Sequence, residues 1–246
     1  MSQPGSGGVP PGPAAGDAAA AGPGAAAPAA AGVVFRDRLP LAEAYARSLV
    51  TDGVIRGLVG PREAPRIWER HLLNCAVAAE LIPQGVAVID VGAGAGLPGL
   101  ALAVVRPDLS VTLVEAKERA TAYLDEVVRA LGLDRQVAVV RSRAEDCAGR
   151  LPPADVVIAR ALAPLDRLAA WCLPLVAVGG RVLALKGASV RDEIATHAAA
   201  VRRLGGAAPV VRHCGAGVLA EPATVVEIVR ERVPAAGRRT GRSRRA

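Results

Sequence analysis

What most constrains this chain is a series of short aliphatic runs without polar alternation: Val86–Val91, Ser110–Glu115, Gln136–Arg141, Asp155–Ala159 and Arg181–Leu185. Strands of that kind are covered on both faces, which is the situation of a parallel sheet. Helical patterns separate them. One runs from Leu97 to just before Pro107, and a second spans Lys117–Leu131, closed by Gly132. A third begins near Pro164. A fourth spans Ser189–Leu204, with Ser189 as N-cap and Asp192 and Glu193 complementing the helix dipole. Two late strands, Pro209–Arg212 and Thr224–Arg230, complete the series. The alternation predicts an α/β, Rossmann-like fold, a mostly parallel seven-stranded sheet with helices on both faces.

The 246 residues leave room for one such domain with additions at its ends. The sheet domain is expected over residues 85–233. Residues 35–84 read as an N-terminal helical extension, with helical spacing over Leu39–Leu49 and Pro61–Leu81 and Pro65 at an early position. Residues 1–34 are dominated by Gly, Pro and Ala and are expected to stay disordered, as is the Arg-rich stretch 234–246. The N-terminus lacks the basic and apolar regions of a signal peptide, and no run approaches the roughly 20 apolar residues of a membrane span. A cytoplasmic monomer that does not enter membranes is therefore expected. Cys75, Cys147, Cys172 and Cys214 form no C-x-x-C pair, which argues against a metal site and a disulfide framework.

Charge is uneven. The formal net charge is +7, but Arg238, Arg239, Arg242, Arg244 and Arg245 supply five of it, leaving +2 for the rest. Such a tail reads either as a phosphate-seeking arm or as a plain solubilising segment. Aromatic residues are only 2% of the chain, so Leu, Val and Ile must fill the core.

The chemistry centres on Asp90-Val-Gly92-Ala-Gly94-Ala-Gly96-Leu97-Pro98-Gly99, a glycine-rich turn between the first strand and a helix. Glycines there let backbone approach a ligand closely. Glu115, ending the next strand, is suitably placed for the two hydroxyls of a ribose. Gly94-x-Gly96-x-x-Gly99 fits a dinucleotide fingerprint, so a nicotinamide-dependent oxidoreductase is one reading. Measured from Gly92, where the strand ends, Leu97 replaces the last fingerprint glycine. Asp90 favours a cationic ligand over a pyrophosphate, and S-adenosylmethionine carries such a charge at its methionine end. Ser142-Arg143-Ala144-Glu145-Asp146 follows the third strand. There an N–H near Ala144 and the Glu145 carboxylate could read an adenine edge, although a helix-start acid pair is the plainer reading.

The acceptor is narrowed by what is missing. The end of strand four reads Ile158-Ala-Arg160-Ala-Leu162, not the Asn/Asp-Pro-Pro-aromatic motif that cups an exocyclic amine. Cys172 lies mid-helix between Trp171 and Leu173, a position for burial rather than for nucleophilic attack on a pyrimidine. A ring nitrogen such as guanine N7 needs no base, and the candidate site offers cations: Arg160, Lys186 and Arg70-His71. Arg160 and Lys186 are candidates for positioning substrate. The plainer readings are a salt bridge for Arg160, a solvated strand end for Lys186 and a satisfied helix residue for His71. A small-molecule methyltransferase and a non-enzymatic RNA-binding scaffold remain alternatives, with the paucity of aromatics counting against the first.

Together these residues resemble the RsmG (GidB) family of 16S rRNA guanine-N7 methyltransferases over roughly Leu41–Val229. The resemblance rests on Trp68-Glu-Arg-His71-Leu-Leu-Asn74, the turn Asp90–Gly99, Ser142–Glu145, Ala159–Pro164 and Leu183-Ala-Leu-Lys-Gly187. It implies the class I S-adenosylmethionine-dependent methyltransferase fold, and a guanosine in the decoding-region loop of 16S rRNA, free or within the 30S subunit, as substrate. It further implies cofactor contacts at Gly92, Leu97, Ala144, Glu145 and Arg160, to which the residues themselves add Asp90, Gly94 and Glu115. Lys186 and Arg70-His71 would line the RNA side. This chain departs from the family in Asn74-Cys75, where Asp-Ser is usual, and in Glu221-Pro-Ala, where many members carry Glu-Arg-His.

Overall fold

The computed structural model describes residues 26–160 and 162–234. Most of the two segments expected to be disordered lies outside the described residues. The inner boundary of the first is corrected, because helix α1 (Ala29–Phe35) buries Ala31 and Phe35. The Phe35 ring meets Trp68 edge-on at 6.3 Å and 70°. That aromatic anchor gives an alanine-rich segment, intrinsically a good helix former, something to pack against.

Seven strands form one sheet in the order β3-β2-β1-β4-β5-β7-β6. They are β1 (Ala87–Val91), β2 (Ser110–Glu115), β3 (Val137–Arg141), β4 (Ala154–Arg160), β5 (Val176–Lys186), β6 (Val210–Cys214) and β7 (Ala223–Val229). The first five are parallel, and β7 runs antiparallel between β5 and β6. From β1 the chain moves outward to β2 and β3, then returns to lay β4 on the other side. The strand order therefore reverses between β1 and β4, and ligands bind at the carboxyl ends of strands beside such a reversal.

After α1, α2 (Leu39–Ser48) is followed by a segment wound unevenly before α3 (Asn74–Ala76). The expected helix over Pro61–Leu81 is in fact a 3-10 turn at Ala64–Arg66, a π-wound stretch at Ile67–Leu73, α3 and another 3-10 turn at Val77–Leu81. This segment, α1, α2, α4 (Gly99–Val105) and α5 (Glu118–Ala130) pack on one face of the sheet, where Phe35, Tyr45, Trp68 and Tyr123 share a core with Val88, Leu113 and Ile158. The N-terminal helices and the sheet thus have one interior. On the other face α6 (Leu165–Cys172) and α7 (Val190–Arg203) cover Val157, Val182 and Val226.

Helix α5 ends as expected. Gly132 takes φ +65°, its N–H reaches the Arg129 carbonyl at 3.0 Å and the Leu133 N–H reaches Val128 at 2.9 Å, the paired bonds of a Schellman stop. Two local expectations are corrected. Ser189 occupies the N-cap of α7 without a side-chain capping bond. Helix α4 begins at Gly99, not Leu97, because the residue before a proline is disfavoured in helical conformation.

Candidate active site

A cavity of about 420 Å³ opens at the carboxyl ends of β1, β2 and β4. Gly92, Gly94, Glu115, Ala144, Glu145 and Arg160 line it, so six of the sequence-predicted positions meet in one place. Gly92 and Gly94 adopt φ +75° and +56°, a region that costs a side-chain-bearing residue roughly 1–2 kcal/mol. A Cβ on Gly92 would stand 2.5 Å from Leu162 Cδ1, inside the cavity wall. The glycines therefore keep the floor at backbone height.

Glu115 closes one wall. Its Oε2 accepts the Gly94 N–H at 3.0 Å and its Oε1 accepts the Lys117 N–H at 2.9 Å. Each oxygen keeps lone-pair capacity for a hydroxyl donor. Opposite stands Arg160, at the end of β4. Its guanidinium donates to Cys75 Sγ at 3.1 Å and meets His71 Nδ1 at 2.8 Å.

Asp90 does not present its carboxylate to the cavity, which corrects the expectation that it faces a ligand. It is fully buried, and its Oδ2 accepts the Gly99 N–H at 2.7 Å, capping the start of α4 from below. Burial raises its pKa to about 7, since an ionised carboxylate loses its hydration there. Oδ1 has no hydrogen-bond partner. The same geometry speaks against the dinucleotide reading. A pyrophosphate would need the N-terminus that Asp90 already occupies, and the space above Gly96 is filled by the Tyr45 hydroxyl, which a Cβ would approach to 2.7 Å. Tyr45 in turn donates to the Ala95 carbonyl at 2.8 Å, tying α2 into the turn. Leu97 packs against the core at the far end of the turn and is not among the residues lining the cavity.

The model of the family described as rRNA small subunit methyltransferase G (GidB) matches residues 38–221. Relatives of that name are 65% identical in Salinispora tropica, over 85% of this chain and 88% of theirs, and 51% identical in Streptomyces avermitilis, over 89% and 95%. The chain belongs to the GidB family. Among solved structures, the mitomycin 7-O-methyltransferase MmcR superposes with a TM-score of 0.54 at 18% identity, over 76% of this chain and 60% of that one. The fold is that of the class I methyltransferases.

Within this GidB chain the remaining predicted residues lie outside the cavity lining. Lys186, at the end of β5, is only 9% exposed, and its ammonium donates to Glu193 Oε1 and to the Ala163 carbonyl, both at 2.7 Å. It is not a solvated strand end but a strap between β5, α7 and the loop after β4. His71 stands behind Arg160, with Nε2 2.9 Å from Glu63 Oε2. Arg70 is exposed on the same segment. Cys75 fills the departure from the family pattern by giving Arg160 a sulfur acceptor. All four cysteines are free and buried, and burial pushes the Cys172 thiol far up, away from nucleophilic use. Among the described residues no group of side chains has the make-up of a metal site, and no helix is long and apolar enough to cross a membrane.

Sequence reasoning missed Trp171 and Arg143, which also line the cavity. Trp171 carried a signal. Of five aromatic residues, four lie in the core on the N-terminal side, and Trp171 alone is partly exposed, with Arg167 over its ring at 5.2 Å.

Proposed function

We propose that this chain transfers a methyl group from S-adenosylmethionine to N7 of a guanosine in the decoding-region loop of 16S rRNA, acting in the cytoplasm. The cavity fits the cofactor's groups. Glu115 offers a carboxylate to ribose hydroxyls, the segment at Ala144–Glu145 offers an N–H and a carboxylate to an adenine edge, and Arg160 offers a cation to the methionine carboxylate. The cofactor supplies an electrophilic methyl group on a sulfonium.

The observation that carries the acceptor class is the β4 side of the cavity, where the sequence places Arg160 and no nucleophile or amine-cupping motif. A ring nitrogen attacks with its own lone pair and releases no proton there, so the protein's task is to orient the base rather than deprotonate it. Arginine also suits phosphate or the Hoogsteen edge of guanine. Family membership supports the rRNA assignment. Purified protein given labelled S-adenosylmethionine and 30S subunits lacking the mark should yield 7-methylguanosine in 16S rRNA. Absence of transfer to both subunits and naked 16S rRNA would overturn the reading.

A further inference from the structure

His71 lies outside the cavity lining, yet it is built into a chain of contacts that ends there. Glu63 Oε2 meets Nε2 at 2.9 Å, and Nδ1 meets an Arg160 terminal nitrogen at 2.8 Å. A guanidinium has donors and no acceptor, so Nδ1 must carry the lone pair and the ring proton must sit on Nε2, donated to Glu63. The order is carboxylate, imidazole N–H, imidazole lone pair, guanidinium. The imidazole is 13% exposed, on the π-wound stretch Ile67–Leu73. Arg160 gives one further N–H to Cys75 Sγ, a weak acceptor. Its Nε–H and one N–H on each terminal nitrogen remain for a ligand.

We propose that His71 is a positioning residue for cofactor binding, a neutral imidazole fixed by Glu63 that aims the Arg160 guanidinium into the cavity. This rests on the cofactor reading above and deepens it. Without the Nδ1 acceptor, the guanidinium keeps only a sulfur contact and is free to turn from the wall. A second proton on the ring would point N–H at N–H and set two cations 2.8 Å apart.

The charged surroundings are consistent with a neutral ring. Burial lowers the pKa of His71, Arg160 from β4 and Arg70 beside it lower it further, and Glu63 works against them. Cys75 from α3, Asp90 from β1 and Tyr45 from α2 complete the titratable groups around the Arg160 side. Protonation therefore belongs to the range below pH 6.5, and cofactor affinity should fall there.

Calorimetric titration of S-adenosylhomocysteine into the full chain from pH 8 to pH 5 tests this. The natural protein should lose affinity on the acid side, as the His71 ring takes up its second proton. His71→Leu should bind about tenfold more weakly at pH 8 and lack that acid loss, as for a hydrogen bond to a charged group. His71→Asn puts an amide oxygen near the Nδ1 position, so it should recover to within about threefold of the natural protein, also without the acid loss. Asp90, titrating near 7, is common to all three and cancels in the comparison. Long-range proton–nitrogen NMR of the natural protein should show His71 protonated on Nε2 alone at pH 8. A proton on Nδ1, or His71→Leu with natural affinity and an unchanged pH profile, would overturn the proposal. If the natural protein bound no S-adenosylhomocysteine, the cofactor reading would fail instead, and the NMR tautomer would still decide how His71 meets Arg160.

Discussion

The two walls of the cavity are built on different principles. On the β1–β2 side, Asp90 and Glu115 are held by backbone N–H groups, at Gly99, Gly94 and Lys117. These partners lie 9, 21 and 2 residues away along the chain. On the β4 side Arg160 is held by side chains, Cys75 and His71, that lie 85 and 89 residues away. The first wall is complete once one strand-turn-helix unit and its neighbouring strand have formed. The second exists only after the N-terminal extension has docked on the sheet. The extension is therefore part of the site, and the Tyr45 bond to Ala95 binds it to the first wall as well.

The first wall is most sensitive at Asp90. Its unfolded carboxyl titrates near 3.8 and its folded one near 7, so the folded state holds the proton longer. Between those values the unfolded chain binds fewer protons, and stability falls as pH rises. From pH 5 to pH 8 this amounts to about 2–3 kcal/mol. Asp90→Asn keeps an acceptor for Gly99 and removes the titration. Urea unfolding of both proteins at the two pH values should show a loss in the natural protein that is smaller in the variant by that amount. Parallel pH profiles would mean that Asp90 is not buried as a cap.

Gly99 tests the same wall by shape. A Cβ there would lie 2.5 Å from Leu113 Cδ2 and 2.7 Å from both Asp90 Cβ and Oδ2, so the capping contact and the helix start would both have to move. Gly99→Ala should cost about 2 kcal/mol, in the range of overpacked cores. Gly94→Ala meets nothing nearer than 3.9 Å and should cost only about 1 kcal/mol, for its positive φ. Equal losses in thermal or urea unfolding would show that the close approach to Asp90 and Leu113 adds nothing to the cost at Gly99.

The contrast between local and distant partners also explains what could be read from sequence. Aliphatic runs such as Val86–Val91 and the stop at Gly132 are local patterns, and the sheet follows from them. The lining positions Gly92, Glu115 and Ala144–Glu145 come from the ends of such runs. Asp90 was legible as an acid in the turn but not as a cap, because a ligand and a helix N-terminus both call for a carboxylate there. The junction of Arg160 with His71 was hidden by 89 intervening residues, and no periodicity spans that gap. Helix α1 was hidden similarly, since its Ala-rich composition reads as disorder until Phe35 finds Trp68.

The smallest expected effect falls on Lys186, and it separates two roles by sign. A lysine held out to RNA would, on replacement by methionine, leave stability unchanged and lower the salt dependence of RNA binding by about 0.7–0.9 per phosphate contact. A strap would do the reverse. Lys186→Met leaves Glu193, 19% exposed, without its cation and the Ala163 carbonyl without that donor. Water can reach Glu193 in part, so the loss should be about 1 kcal/mol in urea unfolding, less than for a fully buried pair. The salt slope of 16S rRNA binding should be unchanged. Ala163 follows Arg160 by three residues, so loosening its tether would let the loop at the head of the second wall drift, while Glu115 and Asp90, held by their own turn, would stay in place.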